Sequence, residues 1–464
     1  MPGRLGRDLL TMIRKSLSLI VIVSVFLAAH PQSAPAYTLQ YRDSSGILAR
    51  RWLTNPILIS FSSSLAAPPA NIKVGSDVIA TARHALRHWS DACNIRFVEL
   101  TSPAQTISPQ NSGDAINLIT VSTESASVFG SSENPALTRV FYDASGAIIE
   151  ADIALNPHEL FSTDGTPGTY DLESTLTHEI GHLIGLDHSA VIAATMQPRQ
   201  AKNGMYGLPA FTQRTLSDDD KIAARSLYGP RNGAASISGK LITSSGGRAE
   251  TIFGAHVFAE EVATGRVVAG SVTLANGDYH LEDLPPGEYR LIAQSLNGPV
   301  AARDISQGGS YLGLTDTTPA FRSFVALGPN LAEVMAVKPN SGLDLPFFVF
   351  STPPALKPAV IGMNDELSTA PLPLEAGKTF TIYIGGPGID TVTFNDISFS
   401  SSLFTVNSGT LRDEVFDVPY PVISVEIKLA RNIQPGDYTI RLRSANGELA
   451  YLTGAITVEP PSNR

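Results

Sequence analysis

The sequence predicts a multidomain chain in which an α+β domain over residues 37–230 is followed by two all-β sandwiches. Three observations carry that reading. Helix-period apolar spacing and short β-branched runs alternate as far as Gly229-Pro230. From about Ala234 the helix-period segments give way to short strand-like runs parted by turn residues. The length, 464 residues, is long for one core and comfortable for two or three. Hydrophobic residues at 43% against charged residues at 16% fit packed domains and exclude a disordered tail protein.

At the N-terminus the pattern is that of an export signal. Arg4, Arg7, Arg14 and Lys15 form a basic region, and the apolar run over residues 17–29 is short for a bilayer span. Ala34-Pro35-Ala36 offers the small residues a signal peptidase reads. Cleavage is therefore expected before Tyr37, with residues 1–36 as signal peptide. The mature chain is expected to be secreted, extracellular or at the periplasm or cell surface, without membrane insertion. That cleavage removes four basic residues and Asp8, leaving the remainder more acidic than the whole chain's −10. An acidic surface disfavours nucleic acid and anionic membrane as partners. Cys93 is the single cysteine, so an intrachain disulfide is excluded and stability must come from cores or bound ions.

Within residues 37–230, residues 57–61 read as a strand. A helix follows from about Ser76, with Ile79, Ala82, Leu86, Trp89 and Cys93 on one face. Cys93 on that face is expected as a small buried hydrophobe. His84 and His88 lie off the face and read as an exposed pair, with no acidic partner nearby in sequence. Strands are expected over 95–100, 116–122, 138–142 and 148–155, the last ended by Asn156-Pro157. Helices are expected over 171–184 and 217–227. Ser217 is a good N-cap, and Asp218, Asp219 and Asp220 in the first turn suit the helix dipole, so capping explains them better than a metal. Asp143, Glu150 and Asp152 are candidate oxygen ligands for a calcium ion, without a complete loop signature.

The first sandwich is expected over 234–300. Strand-like runs cover 237–242, 255–260, 267–274, 279–284 and 289–294. Asn276-Gly277 reads as a hairpin turn, since both central positions want positive φ. Residues 301–354 read as a β-rich connecting region. Residues 355–459 read as the second sandwich, with strands over 380–384, 422–429, 438–442 and 454–458 and a frayed tail beyond Glu459.

The chemistry concentrates in His178-Glu179-Ile180-Gly181-His182-Leu183-Ile184-Gly185-Leu186-Asp187-His188. His178 and His182, four apart, share one helix face one turn apart and can share one zinc ion. Glu179 can reach a water on that metal rather than the metal itself. Gly185 is placed to end the helix in a left-handed turn, so that the chain doubles back and delivers His188 as third ligand. Three protein ligands leave a fourth position open, which marks a catalytic zinc rather than a structural one. A short His-Glu-x-x-His string is a modest signal; the added Gly185 and His188 at their spacing make it specific.

This extended string resembles the metzincin signature. Ser189 after the third histidine is similar to the matrixin branch, and Ala193-Ala194-Thr195-Met196-Gln197-Pro198 resembles that branch's Met-turn. The run from Leu216 through Asp220 to Leu227-Tyr228-Gly229 is similar to its closing helix. The resemblance implies a twisted mixed sheet, three helices, a cleft, and a substrate lying extended along residues 138–142. It implies one catalytic Zn2+ on His178, His182 and His188, with Glu179 as general base and Met196 as an apolar floor. Protein or peptide substrates follow from it. The chain departs from the animal relatives in three ways. No propeptide-length segment or cysteine precedes the domain, so a cysteine switch is not expected. His158 is the only histidine between residues 95 and 174, so a second, structural zinc is not expected. Gln200 stands where relatives usually carry a tyrosine in the specificity pocket. Residues 237–289 resemble a carboxypeptidase regulatory-like sandwich and the last domain resembles immunoglobulin-like modules. These sandwiches are candidates for binding substrate, cell envelope or matrix. A secreted zinc endopeptidase is the expectation; its rival is an adhesion or binding protein with an inactive metzincin domain.

Overall fold

The structure, a computed structural model, describes residues 38–40, 49–121, 128–129, 134–230, 233–245, 247–305, 311, 313–314 and 320–459. The expected export signal, its cleavage point and the tail beyond Glu459 lie outside the described residues.

The first domain is built on strands β1 (Arg51–Trp52), β2 (Ile57–Ser62), β3 (Phe97–Ser102), β4 (Leu118–Val121), β5 (Ala136–Tyr142) and β6 (Ala147–Leu155). Five of them run in the order β1-β6-β4-β2-β3 with parallel neighbours, and β5 pairs antiparallel with β6. The sheet is thus mixed, and β5 lies at its edge, β6 being its one partner among the described residues. In β2, Ile57, Ile59 and Phe61 point into the core, and on the other face Leu58 is exposed while Ser60 and Ser62 are buried. β6 is buried along nearly its whole length, as a strand covered on both faces must be.

Helix α1 (Val78–Ala92) starts on Asp77, whose carboxylate accepts the Ala80 amide at 2.9 Å. Its apolar face puts Trp89 wholly in the core, where the indole NH donates to the Thr177 carbonyl at 2.9 Å. That bond ties α1 to α2 (Leu172–Leu183), the helix that carries the two-histidine string. Helix α3 (Asp218–Tyr228) opens with a capping box in which Ser217 and Asp220 satisfy each other's amides. Cys93 is buried, and burial pushes its thiol up to about 12, which leaves it an inert packing group.

Two sandwiches follow. In the first, one sheet joins Arg248–Thr251, Ala235–Ser245 and Asp278–Leu284; the other joins Val267–Val272, Ala255–Glu261 and Gly287–Ser295. The stretch expected as a connecting region belongs to these sheets. Phe324–Val325 and Val334–Val337 pair with Gly287–Ser295, and Gly342–Asp344 and Phe347–Phe348 pair with Ala235–Ser245. Runs of two to four residues are too short to display a period, so they leave no strand signal in the sequence. The turn at Asn276-Gly277 is real, with Gly277 at φ +81°. Its flanking strands nonetheless enter opposite sheets, so it links the layers rather than closing a hairpin. The second sandwich spans Val360–Met363 to Leu449–Val458, with sheets centred on Val422–Leu429 and on Gly436–Arg443.

Candidate metal centre

Asp171 begins α2 by accepting the Ser174 amide at 2.9 Å, and Arg214 holds the same carboxylate at 2.6 Å. The far end of the helix would leave several carbonyls without partners. Each finds one. Gly185, at φ +101°, turns the chain so that its own amide reaches the His182 carbonyl and the Leu186 amide reaches that of Gly181, both at 3.0 Å. Trp52 Nε1 donates to the Leu183 carbonyl at 2.9 Å, and the Tyr228 hydroxyl to that of Ile184 at 2.6 Å. Gln40 Nε2 reaches the His182 and Leu186 carbonyls. The helix therefore stops where the spacing predicts, and the stop is fixed from three directions.

That stop brings the three rings together. One ligand atom from each of His178, His182 and His188 lies within 4.8 Å of the others, and ring centroids are 4.8–5.4 Å apart. Each Nδ1 faces a backbone carbonyl: Thr195 for His178 at 2.7 Å, Leu186 for His182 at 2.9 Å and Asp304 for His188 at 3.1 Å. A carbonyl only accepts, so each Nδ1 carries the proton and Nε2 is left as the lone-pair atom. Burial pushes His178 down to about 3, with His182 beside it adding to the shift, and pushes His182 down to about 4. His188 is also held well below the ordinary range by burial and by the other two rings. Three neutral imidazoles with oriented rings and convergent Nε2 atoms fit a zinc ion's preferred donors.

Glu179 is buried on the same helix. Burial raises its carboxyl to about 7, opposed by the Thr138 hydroxyl, which donates to Oε2 at 2.5 Å. Thr138 belongs to the edge strand β5, so the acid is tied to the strand along which an extended chain would lie. Met196 is 2% exposed and packs against the α2 backbone at Gly181. Its amide and that of Thr195 are held by the Asp220 carboxylate at 3.2 and 2.7 Å. An open cleft of about 260 Å³ runs past these residues, bounded by Leu137, Thr138 and Val140 on one side and by Pro198 and Gln200 on the other. Gln200 accepts the Thr175 hydroxyl at 2.9 Å.

Other expected groups separate. Asp143 accepts from Ser145 and Ala147 within its own turn, Glu150 from the Ala115 amide, and Asp152 from the Ser108 and Leu118 amides. They do not converge as a calcium site; among the described residues the histidine triad is the one cluster suited to a metal. His84 is exposed, but His88 is half-buried and lies 2.8 Å from Glu173 of α2, an acidic partner that sequence distance hides. The acidic triplet of α3 is more than a cap. Asp219 and Asp220 are buried, Asp219 accepting from the Ser189 hydroxyl at 2.6 Å and the Gly270 amide at 2.6 Å. Thr138 was expected in the substrate strand 138–142 but not as the partner of Glu179, and Asp220 and Asp304 were not legible as site residues, since each acts across a tertiary contact without a local motif.

A helix with two histidines one turn apart, a third from the loop beyond its glycine stop, and an edge strand above them define a metzincin-type domain. The family model described as matrixin matches residues 64–229, and that segment is a matrixin domain. Over 152 residues the chain is 29% identical to metalloendoproteinase 1 of Glycine max, covering 31% of this chain and 43% of that protein. It is 30% identical over 147 residues to human matrix metalloproteinase-20, covering 32% and 27%. It is 28% identical over 153 residues to karilysin of Tannerella forsythia, covering 32% and 28%. The chain thus spans less than half the length of these relatives, and the family match ends before the sandwiches.

Proposed function

We propose that this chain is an exported zinc endopeptidase acting on protein or peptide substrates. The observation that carries the reading is the convergence of three neutral imidazoles, two buried and that of His182 half-buried, on the floor of an open cleft, with Glu179 on the same helix. His178, His182 and His188 would hold the ion through Nε2. Zinc bound there supplies Lewis acidity, lowering the pKa of water from about 16 to about 7 and polarising a carbonyl.

The remaining work falls to the chain. Among the described residues the outer edge of β5 is paired with no other strand, so it can take an extended peptide as a further strand. Glu179 accepts the proton of the attacking water and returns it to the leaving nitrogen as the C–N bond breaks. Thr138 holds Oε2 and so keeps that carboxylate in one orientation. Asp220 and Met196 keep the floor from shifting, through the Met-turn amides and the packing against Gly181. The basic, apolar and small-residue pattern of residues 4–36 supports export.

The test compares the full chain with Glu179→Gln on a protein substrate, with and without a chelator. The variant is expected to keep its zinc and its melting temperature while activity falls by about 10²–10⁴-fold, the usual contribution of a general base. Wild-type-like turnover in Glu179→Gln, or turnover indifferent to the chelator, would refute the assignment.

A further inference from the structure

His188 differs from the other two ring positions in what holds it. His178 and His182 are carried by α2, and their Nδ1 partners, Thr195 and Leu186, come from the same domain. His188 stands on the loop beyond Gly185, and its Nδ1 partner is the carbonyl of Asp304. Asp304 lies on the short helix α4 (Ala302–Ile305), which departs from the first sandwich.

That short helix is held in place rather than merely nearby. Its apolar side chains Ala302 and Ile305 are buried at 2% and 0% exposure. The Asp304 carboxylate accepts the Ala301 amide at 2.9 Å, and the Asp304 amide returns a bond to the Ala301 carbonyl at 3.0 Å. The other carboxylate oxygen takes Arg199 Nη2 at 2.8 Å. Arg199 follows Pro198 at the end of the Met-turn, and its amide is fixed by Gln197 at 2.9 Å. One carboxylate thus joins the cleft wall to the turn whose carbonyl orients His188. Arg199 is 44% exposed, so this ion pair adds little stability by itself; what it restricts is the placement of the Asp304 carbonyl.

We propose that Asp304 is a positioning residue for the metal centre, so that the first β-sandwich supplies part of the third ligand's orienting shell. The proposal rests on the zinc reading above. Partners of this kind fix ring orientation and tautomer, and removing them costs about 10–100-fold in metal affinity.

The experiment measures zinc affinity by chelator competition on the full-length chain, alongside the apo-protein melting temperature and the visible spectrum of the cobalt-substituted protein. Asp304→Ala and Arg199→Ala are expected to weaken zinc at least about ten-fold and to change the cobalt bands. Asp304→Asn is expected to fall between wild type and Asp304→Ala, because its amide oxygen can still accept from Ala301 while its NH2 can no longer accept from Arg199. Arg225→Ala serves as the control. It breaks the 2.9 Å contact to Asp283 between the same two domains without touching α4, and should lower the melting temperature while leaving zinc affinity intact. Zinc affinity and cobalt bands unchanged in Asp304→Ala would overturn the proposal, as would an equal loss of affinity in Arg225→Ala. If wild-type protein takes up no zinc, the peptidase reading falls and this inference falls with it; a zinc-binding wild type matched by Asp304→Ala removes the inference alone.

Discussion

Gly181 sits between the two helix histidines, and its lack of a side chain is what lets the floor approach them. A Cβ there would lie 2.2 Å from Met196 Sδ and 2.9 Å from Trp89 Cζ2. Helix propensity alone would favour alanine by about 1 kcal/mol. Overpacking a closed site costs about 1–3 kcal/mol, and this site is closed, since Trp89 is fully buried and Met196 nearly so. The steric effect should win. Gly181→Ala is expected to lower the melting temperature, and the further loss it causes should shrink when it is made in a Met196→Ala background; a more stable Gly181→Ala would show that the floor can yield. Gly185 is constrained twice, by φ +101° and by a would-be Cβ 2.2 Å from the Arg50 carbonyl. The histidine spacing and Gly185 were legible because helix geometry and a left-handed stop are local properties. Asp304 was not, because nothing within a few residues of it speaks of a metal.

At the scale of elements, the first turn of α3 fastens the Met-turn. The Asp220 carboxylate takes the amides of Thr195, Met196 and Ser217 and the Ser217 hydroxyl. Removing it orphans buried amides at about 1–3 kcal/mol each. Asp220→Ala is therefore expected to be among the most destabilising single changes in the domain, with Asp220→Asn much milder because one acceptor oxygen remains. Thermal melts of the two variants check this; equal melting temperatures would mean that the Met-turn holds itself. From sequence, Ser217 followed by three aspartates reads as a capped helix start, and that much is correct. Burial of the last two could not be read, since it depends on α3 packing its N-terminus beneath residues 195–196 and against Gly270 of the next domain. Ala147–Leu155 was legible almost whole, as 148–155, from its continuous apolar run, and of Leu449–Val458 only 454–458 was read; the short strands between residues 324 and 348 had too few residues to give any such signal.

At the scale of the molecule, the segment between the third histidine and the Met-turn faces the sandwiches, not solvent. Val191 and Ala194 pack with Phe258, Val267 and Ile292 of the first sandwich and Tyr451 of the second. The Ile192 amide donates to the Thr453 carbonyl at 2.9 Å, and a Cβ at Gly454 would strike Val191 at 2.7 Å. Farther along the same face, Tyr206, at φ +58°, is held by Glu366 through its amide and by the Ala370 carbonyl through its hydroxyl. A chain ended at Pro230 would expose this face. The polar groups would regain water at small net cost, but a side chain of valine size loses about 1.5–3 kcal/mol when its burial is undone. For a domain of this size each kcal/mol is worth about 2–4 °C in melting temperature. The truncated domain is therefore expected to melt several degrees below the transition of the same domain in the full chain, to bind an apolar dye, and to hold zinc more weakly because His188 loses Asp304. A soluble fragment matching the full chain in melting temperature and zinc affinity would show the sandwiches to be passengers. The family match ends at residue 229, whereas the contacts that steady its metal loop continue into both sandwiches, and this is why the boundary of the motif and the boundary of the working unit are expected to differ.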